Sequence, residues 1–189
     1  MWETLIEKDQ EWFLYLNQLG TPAWDSFWLF LSDKWGALPL YGFLLFLLYR
    51  QLGWKRVLLL LVFIGLLITT TDQLSGFFKY GVQRLRPCYE PELEGLVRLV
   101  KSSCGGRFGY FSAHAANAFG LATFIAVFWG RSRRLWGMLL IFWALLVGYS
   151  RIYLGVHYPL DVLTGCFTGG LLGWLFAQLY KKADQNIFK

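Results

Sequence analysis

Apolar positions along the chain gather into five long runs, separated by charged or glycine- and proline-containing stretches. Uncharged residues run from Gly36 to Tyr49, 14 positions in all. A second run begins near Trp54, passes through Val57–Thr71 to about Phe78, and carries Asp72 within it. The third extends from about Ser112 to Gly130, the fourth from Leu135 to about Tyr149, and the fifth from about Tyr158 to Tyr180. A helix that crosses a bilayer needs about 20 predominantly apolar residues. The runs therefore predict membrane spans, the first of them short. The first 32 residues hold two weaker patches, Trp12–Leu16 and Trp24–Leu31. Each is too short to span and predicts a helix lying in the interface. Trp2, Trp12, Trp24, Trp28 and Trp35 suit a belt at headgroup level. A sixth span over residues 22–34 is the alternative, opposed by Asp25, Asp33 and Lys34. The expected fold is all-α: a polytopic transmembrane helical bundle of five spans, or six, with N-terminal interfacial helices. Residues 1–189 form one domain, with 1–35 interfacial, 36–181 the transmembrane core and 79–111 a long outer connection.

Composition agrees with a chain whose solvent is largely lipid. Of 189 residues, 56% are apolar, 20% aromatic and 16% charged, against about 25% charged in soluble domains. The net charge is +6, but the basic residues form no single patch, so a nucleic-acid partner is not expected. The first apolar stretch follows an acidic segment rather than a basic one, which argues against a cleavable signal peptide. Orientation follows from short basic turns. Arg50, Lys55 and Arg56, then Arg131, Arg133 and Arg134, then Lys181, Lys182 and Lys189 fall on one side by alternation. These are nine of the 18 basic residues, and the positive-inside rule makes that side cytoplasmic. The N-terminal segment, with six acids against two lysines, the 79–111 connection and the 150–157 connection then lie outside.

That outer end collects the chemistry. The two histidines, His114 and His157, open spans three and five, while Lys79, Arg84 and Arg86 follow span two and Arg151 follows span four. Each cation alone reads as a snorkelling interface residue. Together, around two imidazoles, they match phosphoryl transfer, which needs positioning and electrostatic stabilisation. Ser112 is placed to cap the helix that follows, aiming the amides of Ala113 and His114 at an anion. His157 and Asp161 lie four apart on one helical face, so the carboxylate can orient an imidazole that attacks phosphorus. His114 would then protonate the leaving oxygen and later activate water. No metal is expected between the histidines, since the surrounding cations would repel it. Cys88 and Cys104 share the outer connection and could form a disulfide outside the cytoplasm. Cys166 reads as a buried small hydrophobe. Asp72 is expected to face the bundle interior, pairing with Thr69 or Ser75. Gly165, Gly169, Gly170 and Gly173 offer a small-residue face for close helix packing.

Three segments resemble the signatures of the type 2 phosphatidic acid phosphatase (PAP2) superfamily, which is related to the vanadate haloperoxidases. Lys79 to Pro87 is similar to K-x6-R-P. Phe111-Ser112-Ala113-His114 resembles P-S-G-H, with Phe for Pro and Ala for Gly. Ser150 to Asp161 matches S-R-x5-H-x3-D in full. The resemblance implies a cofactor-free, metal-independent lipid phosphatase. His157 would be the nucleophile, Asp161 its partner and His114 the general acid/base. Lys79, Arg86, Ser112, Ala113 and Arg151 would bind the phosphate, with Arg84 as a helper. The compact chain is similar to bacterial members of the inner membrane, with the site on the periplasmic face and the C-terminus cytoplasmic. The substrate would be a membrane lipid phosphate: undecaprenyl diphosphate, phosphatidylglycerol phosphate, phosphatidic acid or lipid A. A lipid-phosphate binding or transport protein without hydrolysis, and a haloperoxidase-like enzyme, are the alternatives. The motifs fix neither the headgroup nor the oligomeric state.

Overall fold

A computed structural model describes residues 2–188, apart from the side chains of Trp2 and Lys34, so the belt expectation for Trp2 and the charge of Lys34 lie outside the described residues. Among the described residues there are six α-helices: α1 (Trp2–Gln18), α2 (Pro22–Ser32), α3 (Lys34–Val82), α4 (Ala113–Trp129), α5 (Arg134–Tyr153) and α6 (Pro159–Ile187). Three helical stretches, 35–82, 113–153 and 159–187, are long and apolar enough to cross a bilayer.

The first two stretches are each interrupted. A continuous α3 of 49 residues would reach about 74 Å at 1.5 Å per residue, more than twice a hydrocarbon core of about 30 Å. It breaks at Gly53, where φ 74° and ψ 169° define a conformation essentially reserved for residues without a Cβ. The 34–52 and 54–82 arms therefore correspond to the first two apolar runs. Between α4 and α5, Gly130 (φ 61°) and a 3-10 turn at Gly130–Arg133 make the second break. Leu44, Leu48, Leu60, Leu67, Ala122, Phe124, Ala144 and Tyr180 form the main core. Outward faces carry large apolar side chains such as Phe46, Val62, Phe142, Leu163 and Phe167, as a lipid-facing surface requires.

The broadest helix contact joins α4 to α6, and glycines create it. A Cβ at Gly165 would stand 2.5 Å from the Ser112 carbonyl oxygen, one at Gly169 2.1 Å from that of Ala116, and one at Gly173 2.2 Å from that of Gly120. The i, i+4, i+8 spacing puts the three on one stripe, so the backbones touch. Gly170 is off this seam, with only Thr123 Oγ1 near its open face, at 3.8 Å.

The N-terminal helices dock on the bundle, α1 against α5 and α6, α2 against α5 and α3. The inward stripe of α1 is Asp9, Phe13 and Asn17, all buried, while Trp12 and Tyr15 point outward, 58% and 60% exposed. The apolar patch visible in the sequence is thus split: Trp12 and Tyr15 face outward, while Phe13 is buried and Leu14 and Leu16 pack beside it, and two of the three buried residues of the stripe are polar. Those polar groups are satisfied across the chain. Asn17 Nδ2 donates to the carbonyls of Arg98, Ile152 and Tyr153, and its Oδ1 accepts from Arg98 N at 2.8 Å. Asp25 of α2 accepts from Arg98 Nη2 at 2.7 Å and from the Tyr153 hydroxyl at 2.8 Å.

Candidate functional site

The end of α3, the start of α4, the end of α5 and the start of α6 meet at one end of the bundle. Local chemistry fixes each junction. Ser112 caps α4, its side chain accepting from Ala115 N at 3.4 Å, and its own N–H donates to the Asp161 carbonyl at 3.0 Å. That bond, with the glycine seam below it, ties the first turn of α4 to the first turn of α6. After α5, the backbone curls so that the N–H groups of Val156 and His157 both donate to the Arg151 carbonyl, at 3.1 and 3.3 Å. The spacing between Arg151 and His157 is therefore the length of one closed turn.

Asp161 sits at the third position of α6 and accepts from the Tyr158 N–H at 3.1 Å, in the manner of a capping box. The same oxygen faces His157 Nδ1 at 3.3 Å. His157 is 2% exposed and Asp161 fully buried. With Nδ1 turned to the carboxylate, Nε2 is the free lone pair. Gly109 presses on this pair: a Cβ there would lie 3.1 Å from Asp161 Oδ2 and 3.6 Å from His157 Nδ1. Burial, and then the charges of Arg86, Arg151 and Lys79, hold the His157 imidazole well below its ordinary value of 6.5, so the ring is neutral at physiological pH.

The cations are held from behind. Residues 84–86 pair antiparallel with 107–109 through Arg86 N to Arg107 O at 3.1 Å and Gly109 N to Arg84 O at 2.9 Å. In extended backbone, alternate side chains share a face, so Arg84 and Arg86 both turn toward the pair. Arg86 Nη1 donates to the Cys104 carbonyl at 2.7 Å and Nε to that of Phe108 at 3.2 Å. Cys104 is joined to Cys88, with Cα atoms 6.4 Å apart, so the bridge flanks the Arg86 anchor. Arg151 is 5% exposed and donates to Ser32 Oγ at the end of α2. The charges of Arg151, Lys101 and Lys79 act on His114. His114 lines a cavity of about 270 Å³ with Ser32, Asp33, Tyr41, Asn117 and Trp143.

Arg84, expected to help hold the phosphate, also has two carboxylate partners. Its Nη1 donates to Asp161 Oδ1 at 3.1 Å and its Nη2 to Asp9 Oδ2 at 2.7 Å, so both ends serve carboxylates. Asp72 is placed differently. It is exposed, and its Oδ1 accepts from Asn117 Nδ2 at 2.9 Å, while Ser75 donates to the Phe111 carbonyl and Thr71 is bonded to Asn117 Oδ1. The sequence gives no motif for Asp9, Ser32, Lys101 or Gly109. Gly109 alone carries a readable signal, as a glycine two residues before Phe111 in a segment that must pass close to the site.

The PAP2 superfamily model matches residues 55–185. The chain is 38% identical over 179 residues to the lipid A 4'-phosphatase of Bacteroides thetaiotaomicron, covering 93% of this chain and 78% of that protein. It is 32% identical to the lipid A 4'-phosphatase of Porphyromonas gingivalis, over 94% and 75% of the two chains. The crystal structure of Aquifex aeolicus LpxE superposes with a TM-score of 0.65 at 29% identity, covering 89% of this chain and 93% of that one. The chain belongs to the PAP2 superfamily. It is an integral membrane lipid phosphatase.

Proposed function

We propose that the protein removes phosphate from a lipid A-class glycolipid through a phosphohistidine, without a metal, on the extracytoplasmic side of a bacterial inner membrane. The observation that carries the mechanism is a neutral, buried His157 whose Nδ1 rests on Asp161 beneath the charges of Lys79, Arg86 and Arg151. In the first step His157 Nε2 forms a bond to phosphorus while the bond from phosphorus to the lipid oxygen breaks. His114, protonated once the anionic phosphate offsets the surrounding cations, gives that oxygen its proton and becomes neutral, and Asp161 stabilises the His157 imidazolium at Nδ1–H. In the second step His114 takes a proton from water, whose oxygen attacks phosphorus. The P–N bond breaks, leaving inorganic phosphate and a neutral His157. Lys79, Arg86, Arg151, the Ser112 hydroxyl and the Ala113 amide balance the equatorial oxygens throughout. The phosphate's negative charge offsets the repulsion that Arg86, Arg151 and Lys79 add to the burial of His157, so the imidazolium formed on attack is stabilised. Arg84 is assigned to Asp161 rather than to the phosphate.

The two arms of α3 together with α4, α5 and α6 make five spans in this reading, with α1 and α2 at the outer surface and the Cys88–Cys104 disulfide in an oxidising compartment. The lipid A class is supported by the two lipid A 4'-phosphatases that match this chain nearly end to end. The cavity beside His114 combines the apolar walls of Tyr41 and Trp143 with polar groups from Ser32, Asp33 and Asn117, which suits a sugar headgroup continuous with acyl chains. The test is phosphate release by the purified full chain in detergent and chelator, with His157→Ala as blank. The panel holds lipid A, phosphatidylglycerol phosphate, phosphatidic acid and undecaprenyl diphosphate. Highest kcat/KM on lipid A is expected. A preference for a glycerophospholipid or an isoprenoid would remove the substrate assignment, and turnover only after divalent metal is restored would overturn the mechanism.

A further inference from the structure

The inner face of α1 reaches the catalytic pair through one unbroken line of charged groups. Asp9 is 4% exposed. Its Oδ2 accepts from Arg84 Nη2 at 2.7 Å, and its Oδ1 accepts from the Leu160 N–H at 2.9 Å, in the first turn of α6. Arg84 spans the gap, with Nη1 on Asp161 Oδ1 at 3.1 Å and its guanidinium 4.0 Å from the centre of the Tyr158 ring. Asp161 Oδ2 in turn faces His157 Nδ1. We propose that Asp9 is a positioning residue for the His157–Asp161 pair, acting through Arg84.

Two physical effects assign it this part. The first is charge. Asp9, Arg84 and Asp161 sum to one negative charge beside a neutral imidazole. Without Asp9 the partly buried guanidinium has Asp161 as its single carboxylate partner among the described residues, and the sum is zero. Arg84 then competes with the imidazolium for Asp161 at the moment the phosphohistidine forms, and the attack is less well stabilised. The second effect is geometry. A guanidinium is a planar fork, and holding its far nitrogen on Asp9 while its face rests on Tyr158 fixes the direction from which its near nitrogen meets Asp161. The bond from Leu160 N registers α1 against the same turn of α6 that bears the carboxylate. Neither Asp9 nor Arg84 is placed on the phosphate, so the change falls on the chemical step rather than on substrate binding.

The inference rests on the reading of His157 as nucleophile, and the experiment separates the two. Four full-length enzymes are compared with wild type in detergent: His157→Ala, Asp9→Asn, Arg84→Gln and the double variant Asp9→Asn/Arg84→Gln. kcat, KM and thermal midpoint are measured for each. Asp9→Asn is expected to lower kcat by about 10–100-fold, the range seen when an outer partner of a working histidine is lost, with KM within about twofold of wild type. In the Arg84→Gln background the same substitution should add less than about twofold, because its route to Asp161 is already cut. Wild-type kcat in Asp9→Asn would overturn the proposal, as would multiplicative losses in the double variant or a rise in KM that matches the fall in kcat. Should Asp9→Asn fail to fold, Asp9→Glu takes its place in the cycle, and a kcat loss that persists in the Arg84→Gln background has the same overturning force. Full turnover in His157→Ala would instead sink the nucleophile assignment itself.

Discussion

At the scale of single residues, the proposed mechanism depends on a neutral His157 whose Nδ1 rests on Asp161. In the proposed mechanism His157→Ala removes the atom that bonds to phosphorus, so phosphate release should fall by at least about 10³-fold, or about 4 kcal/mol of barrier, while the thermal midpoint stays close to wild type. Residual turnover within tenfold of wild type would contradict it. The pH profile tests the electrostatics separately. With its pKa held well below 6.5, His157 stays neutral as pH falls through the ordinary histidine range, so the acid limb of kcat/KM from this group lies below pH 6.5. Arg86→Gln removes a positive charge that opposes protonation. The pKa of His157 should rise and the acid limb should move to higher pH, with the substrate's own ionisation common to both enzymes. An acid limb that is unmoved, or displaced downward, would show that Arg86 does not act on the imidazole. Much of this was legible in the chain: the order and spacing of Lys79, Arg86, His114, Arg151, His157 and Asp161 mark a phosphate chemistry before any coordinates. Ser32, Asp9 and Lys101 were not legible, because single polar residues distant in sequence have no spacing to read. Arg84 was legible as a cation but not as a partner of carboxylates, since its direction depends on Asp9, 75 residues away.

At the scale of elements, the helices follow from hydrophobic run length, and their contacts follow from what the runs leave out. The apolar segments foretold the two arms of α3, then α4 and α5, to within about four residues, and the start of α6, whose polar end runs seven residues past Tyr180 to Ile187, because lipid forces backbone polar groups into helical bonds wherever the chain is buried in it. The orientation of α1 could not be foretold that way. Its inward stripe sets Phe13 into an apolar cluster with Ile152, Tyr158 and Val162 but carries Asp9 and Asn17 on either side, which bond to loops and helix ends. The α4–α6 seam makes a sharp test. In Gly169→Leu the added side chain begins 2.1 Å from the Ala116 carbonyl oxygen, and the helices must separate. That should cost about 1–3 kcal/mol or more and pull His114 away from His157, lowering both thermal midpoint and kcat. Gly170→Leu, off the seam, should leave both near wild type, and equal damage from the two would contradict the seam. The outer connection offers another test. The Cys88–Cys104 bridge closes a loop with a sequence separation of 16, for which loop entropy is worth about 3 kcal/mol. Reductant should lower the thermal midpoint and raise KM, because Arg86 is anchored on the Cys104 carbonyl. Alkylation of both thiols without reductant would show that no bridge forms.

At the scale of the whole molecule, the bundle has two ends of opposite character, and their polar cross-links separate them cleanly. One end holds the site, laced by Asp9, Asn17, Asp25, Arg84 and Arg98. The other gathers the basic turns. Arg56 pairs with Asp184 at 3.1 Å, the Tyr180 hydroxyl meets the Arg56 carbonyl at 3.4 Å, Lys181 Nζ donates to the Val127 carbonyl at 2.7 Å, and Trp129 Nε1 donates to Gln51 at 3.2 Å. Residues 51–56, 127–129 and 180–184 therefore share one level, a helix length of α4 from Ser112. At 17 residues and 1.5 Å per residue that length is about 25 Å, close to a hydrocarbon thickness. In the proposed orientation the positive-inside rule puts the basic end in the cytoplasm and the phosphate site in the opposite compartment. A fluorescent protein fused after residue 189, active only in the cytoplasm, should be bright. An alkaline phosphatase fused at the same point, active only outside, should be silent. Swapping the enzyme reporter to a truncation after Gly95, in the outer connection, should reverse that result. A dark C-terminal fluorescent fusion with an active C-terminal enzyme fusion would invert the molecule and place its lipid substrate in the inner leaflet, where the Cys88–Cys104 bridge would also lose its oxidising surroundings.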